Sequence, residues 1–242
     1  MRHSAVLLVA AGLILAGCST ADSKDIRTSG IKADLRVTVK DHERRADVLA
    51  TLRAGTLTYV KLGSGESITT AASGASVQLG VNKMLGVTNY SGRLDGDLTA
   101  GTEVTFDLQR DGDNESAPHS TVFLPERLQL IAPAVGTTAS RSSSITVRID
   151  SAPADQPTTV SWNGQCVQAG EIQLPSGVTI AQIPAGRIRQ LAATASPGQR
   201  NTNSCTITLT AYRRTTGSLD PAFKEGSIVA EAQSSRNITS IS

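Results

Sequence analysis

Two of the three histidines, a run of alternating carboxylates and three cysteines are the parts of this 242-residue chain that could do chemistry. With a serine as nucleophile, His42 or His119 as base and a carboxylate behind it, that chemistry would be acyl transfer. The spacing argues against it. No Gly-x-Ser-x-Gly turn occurs; His42 lies in the charged stretch Asp41–Arg45, and His119 follows Pro118 where a strand begins. Exposed polar residues are common in such turns, so both histidines are expected in solvent and no catalytic residue is assigned. Asp111-Gly112-Asp113-Asn114-Glu115 offers alternating oxygens, as the opening of an EF-hand loop does. Asp111, Asp113 and Glu115 are therefore calcium candidates, with Asp95 and Asp97 as carboxylates a fold could bring beside them. The sixth position is Ser116 instead of glycine, the twelfth is Val122 instead of glutamate, and no flanking helices are expected. A charged turn between two strands fits those departures better. No metal or other cofactor is expected.

The N-terminal run concerns where the chain goes. Arg2 and His3 precede an apolar run from Ala5 to Leu15 that only Gly12 interrupts. At this length it reads as a removable export signal and not as a membrane span. It closes on Leu15-Ala16-Gly17-Cys18, which resembles the lipobox of bacterial lipoproteins. The resemblance implies cleavage after residue 17 and a diacylglyceryl anchor, with palmitate-type chains, on Cys18. Ser19 then follows the lipidated residue, where aspartate would retain many lipoproteins at the inner membrane of Gram-negative bacteria. The implied place is the outer membrane, facing the periplasm, with the cell surface as the alternative. With Cys18 committed to lipid, Cys166 and Cys205 remain, and an even remainder in an exported chain reads as one disulfide. They stand 39 positions apart, and closing such a loop stabilises a fold by roughly 4 kcal/mol on the chain-entropy model. The competing reading, a pair of metal ligands, lacks a third sulfur or imidazole nearby in sequence.

Composition removes other classes of function. The formal charge of +2 falls by one when Arg2 leaves, so no field for a polyanion remains and nucleic acid is excluded as a partner. Aromatic residues make up 3% and are scattered, which speaks against a sugar-stacking platform; Trp162 is expected in a core beside the disulfide. Arg44-Arg45 and Arg213-Arg214 are either contacts for anionic lipid or solvated charges at turns and strand ends.

The elements that would position these residues read as strands. Ser19 to Gly30 is polar and reads as a flexible tether. Ala33, Leu35, Val37 and Val39 then alternate with polar residues, and Ala46, Val48, Ala50 and Leu52 do so again after the charged turn. Short runs recur at 57–62, 67–71, 76–81, 104–108 and 120–124. After Leu124-Pro125-Glu126 the alternation restarts at Leu128, Leu130 and Ala132, and continues at 144–149, 158–162, 178–183, 205–211 and 227–232. Prolines stand between these later runs, as sheets require. Val104-Thr105-Phe106-Asp107-Leu108-Gln109-Arg110 and Ile207-Thr208-Leu209-Thr210-Ala211-Tyr212-Arg213 echo each other. Each is an alternating strand that ends in arginine and precedes one last strand.

Trp162, Cys205 and Tyr212 give the second half a limited resemblance to immunoglobulin-like domains. Cys166 follows the tryptophan, whereas in antibody-type domains the first cysteine precedes it, so the resemblance implies a sandwich and not the antibody family. The expected fold is all-β: a signal peptide at 1–17, a lipidated tether at 18–30, and two tandem antiparallel β-sandwiches at 31–125 and 126–242. The expected role is a non-enzymatic binding or scaffold module, held at the membrane by Cys18, that engages an envelope protein through loops or an open strand edge. The alternatives are an enzyme or accessory subunit with a site at the junction of the two domains, and a surface adhesin.

Overall fold

A computed structural model describes residues 19–41, 43–84, 87–112, 114–192 and 203–242; Cys18, His42 and Asp113 lie outside the described residues. The described chain is all-β. Its strands in order are β1 (Ser19–Asp22), β2 (Lys32–Lys40), β3 (Arg45–Arg53), β4 (Thr58–Lys61), β5 (Ser67–Ala72), β6 (Ala75–Gln78), β7 (Gly80–Met84), β8 (Val87–Asp95), β9 (Glu103–Gln109) and β10 (Ala117–Phe123). They continue with β11 (Leu130–Ala132), β12 (Thr138–Ser140), β13 (Ile145–Ile149), β14 (Thr158–Gly164), β15 (Val167–Leu174), β16 (Ile180–Ile183), β17 (Ser204–Thr216) and β18 (Glu225–Ile241).

Period-two sequence becomes period-two burial. In β2, Ala33, Leu35, Val37 and Val39 are buried while the residues between them face out, and β3 repeats the pattern with Ala46, Val48, Ala50 and Leu52. One large sheet runs β1-β4-β3-β2-β18-β17-β14-β15, with β8 on β3, β7 on β8 and β12 beside the end of β18. Two smaller sheets pack on it. The sheet β10-β9-β5-β6 covers the first half and encloses a core containing Leu35, Leu52, Tyr90, Phe106 and Leu108. The sheet β11-β13-β16 covers the second half, around Leu130, Ile149, Trp162, Ile207 and Leu209. The Tyr90 hydroxyl fastens the short β4 to the first core, donating to the Val60 carbonyl at 3.0 Å and accepting the Leu62 N–H at 2.8 Å.

The spine of the molecule is the β17–β18 hairpin, whose strands of 13 and 17 residues pair continuously from Ser204↔Ile241 to Thr216↔Val229. Along one face of β18, Ile228, Ala230, Ala232, Ser234, Ile238 and Ser240 are all buried, the first two in the first core and Ala232 and Ile238 in the second. The turn of this hairpin, with Ala222 and Phe223, also packs into the first core. The first core therefore uses residues on both sides of Pro125, and the stretch around 219–230 that sequence assigns to the second unit fills the first.

Three further departures have physical causes. Most ladders are antiparallel, but β18 runs parallel to β2 from Glu225↔Lys32 to Gln233↔Lys40, and the pairs β1–β4 and β12–β18 are parallel too. Gly226 permits the closest part of the β18–β2 approach: its φ is +143°, and a Cβ there would stand 1.8 Å from the Ala33 carbonyl oxygen. Second, Ser19–Gly30 is no tether. It forms β1 on β4 and two 3-10 turns, with Ser23 and Thr28 buried. Third, β8 and β15 carry no clear alternation. In β8 the inward positions include Thr88 and Gly92, and Gly92 faces Leu79 and Val77 at distances a side chain would crowd.

Candidate functional site

Two arginines, Arg110 just after β9 and Arg213 within β17, organise the two ends of the first unit. Arg110 and Arg213 keep the inward phase of Val104-Phe106-Leu108 and Ile207-Leu209-Ala211, so each guanidinium enters the protein instead of leaving it. Arg213 is fully buried, so the solvated and lipid-contact readings of the Arg213-Arg214 pair both fail for it. Its Nη1 donates to the carbonyls of Glu126 (3.3 Å) and Arg127 (2.9 Å) and to Ser151 Oγ (3.3 Å), Nη2 donates to the Ser151 carbonyl, and Nε donates to Thr158 Oγ1 (3.1 Å). Among the described residues it has no carboxylate partner, and burial pushes its pKa below the ordinary arginine value. The connection between the units is thus clamped from the second unit. Arg127 clamps it to the first, its Nη2 donating to the Leu98 carbonyl at 2.7 Å, and Ser234 Oγ accepts the buried Leu130 N–H at 2.9 Å. These groups hold the connection between the two units in place.

At the other end of the first unit, Arg110 forms a buried ion pair with Glu66, Nε to Oε1 at 2.6 Å. Its Nη1 donates to Thr28 Oγ1 at 3.0 Å, and its Nη2 to the carbonyls of Ser23 (2.8 Å) and Ile26 (3.0 Å). Burial by itself raises the Glu66 carboxyl, but hydrogen bonds from Ser23, from the Gly63 N–H and from Arg110 outweigh it and hold the group below the ordinary carboxylate value. Above this pair opens a cleft of about 840 Å³ between residues 22–27, residues 61–66, and Asp111, Gly112 and Asn114. Its rim carries Lys24, Arg27 and Asn114, and the ion pair Asp22–Lys61 at 3.7 Å. Glu66 and Arg110 are committed to each other and to the N-terminal segment, so the cleft floor is structural in chemistry.

Of the calcium candidates Asp111, Asp113 and Glu115, the first and last are among the described residues. Asp111 lies on this cleft, with Oδ1 accepting the Gly112 N–H at 2.8 Å and Oδ2 resting over Gly65, where a Cβ would come within 2.6 Å. Glu115 contributes its backbone carbonyl to the Thr28 hydroxyl, and its side chain is exposed. Asp95 and Asp97 sit at the opposite end of the sandwich: Asp95 pairs with Arg45, and the Asp97 carbonyl accepts Ser73 Oγ. Among the described residues no three acidic, histidine or cysteine side chains group as metal ligands do. His119 is exposed on β10. Its backbone N–H donates to Asp220 Oδ2 at 2.7 Å, and Asp220 Oδ1 accepts the Ala222 N–H, so this buried carboxylate serves the chain turn and is not turned to the imidazole.

Cys166 and Cys205 are bonded as a disulfide with Cα atoms 6.0 Å apart, tying the turn after β14 to β17 at the end of the second unit. The buried Arg141 lies beside it, Nη1 3.9 Å from Cys166 Sγ and 3.1 Å from Ser240 Oγ. Trp162 packs in the core, its Nε1 donating to the Gln168 carbonyl at 3.1 Å, and its ring occupies the space a Cβ on Gly170 would need. The large sheet ends there in β15. Among the described residues only the start of β15 is covered on its outer side, by the Val167↔Gln190 bridge and the Gln168 N–H to the Arg189 carbonyl. From Ala169 to Gln173 no described residue pairs with the outer side of this edge. On the outer face beside it stand Thr208 bonded to Asn237, Thr210 bonded to Ser235, and Arg214 placed 5.0 Å over the Tyr212 ring and bonded to Glu231.

The burial of Arg110 and Arg213 is what sequence reading missed. Their signal is phase: each stands an even number of positions from the inward residues of its strand. No family model matches the chain, and no curated protein matches it. Solved structures align over most of its length at low identity. Dpr11 IG1 bound to DIP-gamma IG+IG2 aligns over 87% of this chain and 98% of that chain, at 7% identity and a TM-score of 0.25. The FN1-FN3 domains of chicken CNTN1 cover 85% of this chain and 67% of that chain, at 12% identity and a TM-score of 0.21. The D0-D1 domain of intimin covers 83% and 96%, at 12% identity and a TM-score of 0.24. The sandwich architecture itself rests on the strand pairing of this chain.

Proposed function

We propose that this chain is a membrane-anchored lipoprotein of the bacterial envelope that works as a non-enzymatic binding or scaffold module. The observation that carries the reading is the continuous large sheet: one hairpin serves both cores, the connection is clamped by Arg213 and Arg127, and among the described residues the sheet ends in β15 with Ala169 to Gln173 unpaired on the outer side. A stiff two-unit body with an unpaired strand edge suits strand addition by a partner, in which main-chain hydrogen bonds supply affinity. The partner is an envelope protein, Cys18 carries the lipid, and the outer membrane facing the periplasm is the place, on the lipobox and on Ser19 following it.

In-cell photo-crosslinking from Gln173 tests the binding role. One recurrent protein partner is expected, and Gln173→Lys, which places a charge on that edge, should remove it while leaving the melting temperature unchanged. Crosslinks that survive the lysine, or none at all, would refute edge binding. Separately, Cys18→Ala should move the protein out of the membrane fraction, since anchoring by a multi-chain lipid is far firmer than by a single acyl chain.

A further inference from the structure

We infer that the end of the first unit formed by Ser19 and the turn at 54–57 rests against the lipid surface and holds the second unit away from it; this orientation depends on the reading of Cys18 as lipidated. The argument is one of slack. Consecutive Cα atoms stand about 3.8 Å apart, so the residue that would carry the lipid is one peptide unit from Ser19. Ser19 is already folded: its N–H donates to the Leu57 carbonyl at 3.0 Å, its hydroxyl lies 2.8 Å from Thr58 Oγ1, and β1 continues in register along β4 to Asp22↔Lys61. Behind β1 the chain is pinned by Arg110 to the Ser23 and Ile26 carbonyls. The headgroup layer of a leaflet is roughly 5–8 Å deep. A leash of one residue cannot carry the 54–57 turn clear of that layer.

The surface at this end suits the position. Leu57 is 46% exposed at the tip of the turn, and Lys32, Arg53 and Lys224 surround the adjoining recess with Gly55 and Thr56. Lysine and arginine stems can lie along an apolar surface with their charges in the headgroups. Lys32 is paired with Glu225 and Arg53 with Asp34, so the end is not strongly basic and the anchor, more than charge, sets the orientation. β18 starts at this end beside β2 and runs 17 residues, roughly 55 Å at ~3.3 Å per residue, to the opposite end. There Cys205 pairs with Ser240, and the exposed turn at 142–144 follows Ser140, itself paired with Ile241. The edge of β15 belongs to this outer unit, whereas the cleft above Arg110 belongs to the membrane-side unit.

The test uses the full mature chain in phosphatidylethanolamine–phosphatidylglycerol vesicles containing a lipid with a nitroxide on its headgroup. A fluorophore is placed on Leu57→Cys, on Thr56→Cys as a second site at the same end, or on Ser144→Cys at the other end. Intact-protein mass spectrometry reads the lipid on Cys18 in the same samples. Several-fold stronger quenching at 56 and 57 than at 144 is the expected result. Equal or reversed quenching in protein whose Cys18 carries lipid would overturn the orientation and leave the anchor intact. Absence of lipid on Cys18 would overturn the anchor reading and the orientation with it.

Discussion

The two cores differ in where their residues come from and in how each buries a cation. The second core is drawn from one stretch, Leu128 to Ile238. The first combines Ile31 to Leu124 with Ala222, Phe223, Ile228 and Ala230, which reach it only through the long hairpin. Their arginines differ in parallel. Arg110 meets a carboxylate, Glu66, in addition to carbonyls; Arg213 meets only carbonyls and hydroxyls, because its neighbours are the turns that join the units. The same residue type, in the inward phase of its strand, thus does two jobs. One neutralises a buried acid and pins the N-terminal segment, and the other collects backbone acceptors that have lost access to water.

The widest test of this asymmetry is to divide the chain. A fragment of residues 126–242 should retain cooperative unfolding, read by near-UV circular dichroism. One of residues 19–125 should not fold, because it lacks the strand beside β2 and the Phe223 side chain. A folded 19–125 fragment would show that the hairpin is dispensable to the first core.

The arginines should then separate by rescue. Arg110→Met leaves the Glu66 carboxylate buried without its cation, at an expected cost of about 3–5 kcal/mol in denaturant unfolding, and adding Glu66→Gln should recover part of it. Arg213→Met strands several carbonyls, each worth about 1–3 kcal/mol, and no charge-removing second change should restore it. Equal rescue at both sites would erase the distinction between the two clamps. Reduction of Cys166–Cys205 should cost at most about 4 kcal/mol and lower the melting temperature through the second unit.

The smallest effect concerns acid. Glu66 has a folded-state pKa below its ordinary value, so its stabilisation is present above the unfolded pKa, near 4, and is lost as pH falls through the folded one. The wild type should therefore show an acid-sensitive increment that Glu66→Gln removes. The Arg213 pKa is lowered from a strongly basic value, so its protonation is constant across the same range and it adds no acid-side slope. An unchanged acid profile in Glu66→Gln would remove the ion pair from this comparison.

Sequence alone determined what depends on local alternation. β2, β3, β9 and the start of β17 are legible because apolar side chains recur every second residue over a half-buried surface, and the pairing of Cys166 with Cys205 is legible by parity. Tertiary structure decided the rest. β8 hides its phase because Thr88 and Gly92 occupy inward positions shaped by Leu79 and Val77. The second half of β18 reads as polar because Ser234 and Ser240 face inward to serve the Leu130 N–H and Arg141. Ser19–Gly30 reads as a tether because what holds it, Arg110 and Glu66, stands far along the chain. Buried polar residues are placed by partners distant in sequence, and such partners leave no local period to read. The turn at 217–224 belongs to the second half in order and to the first core in space, which pairing between β18 and β2 settled.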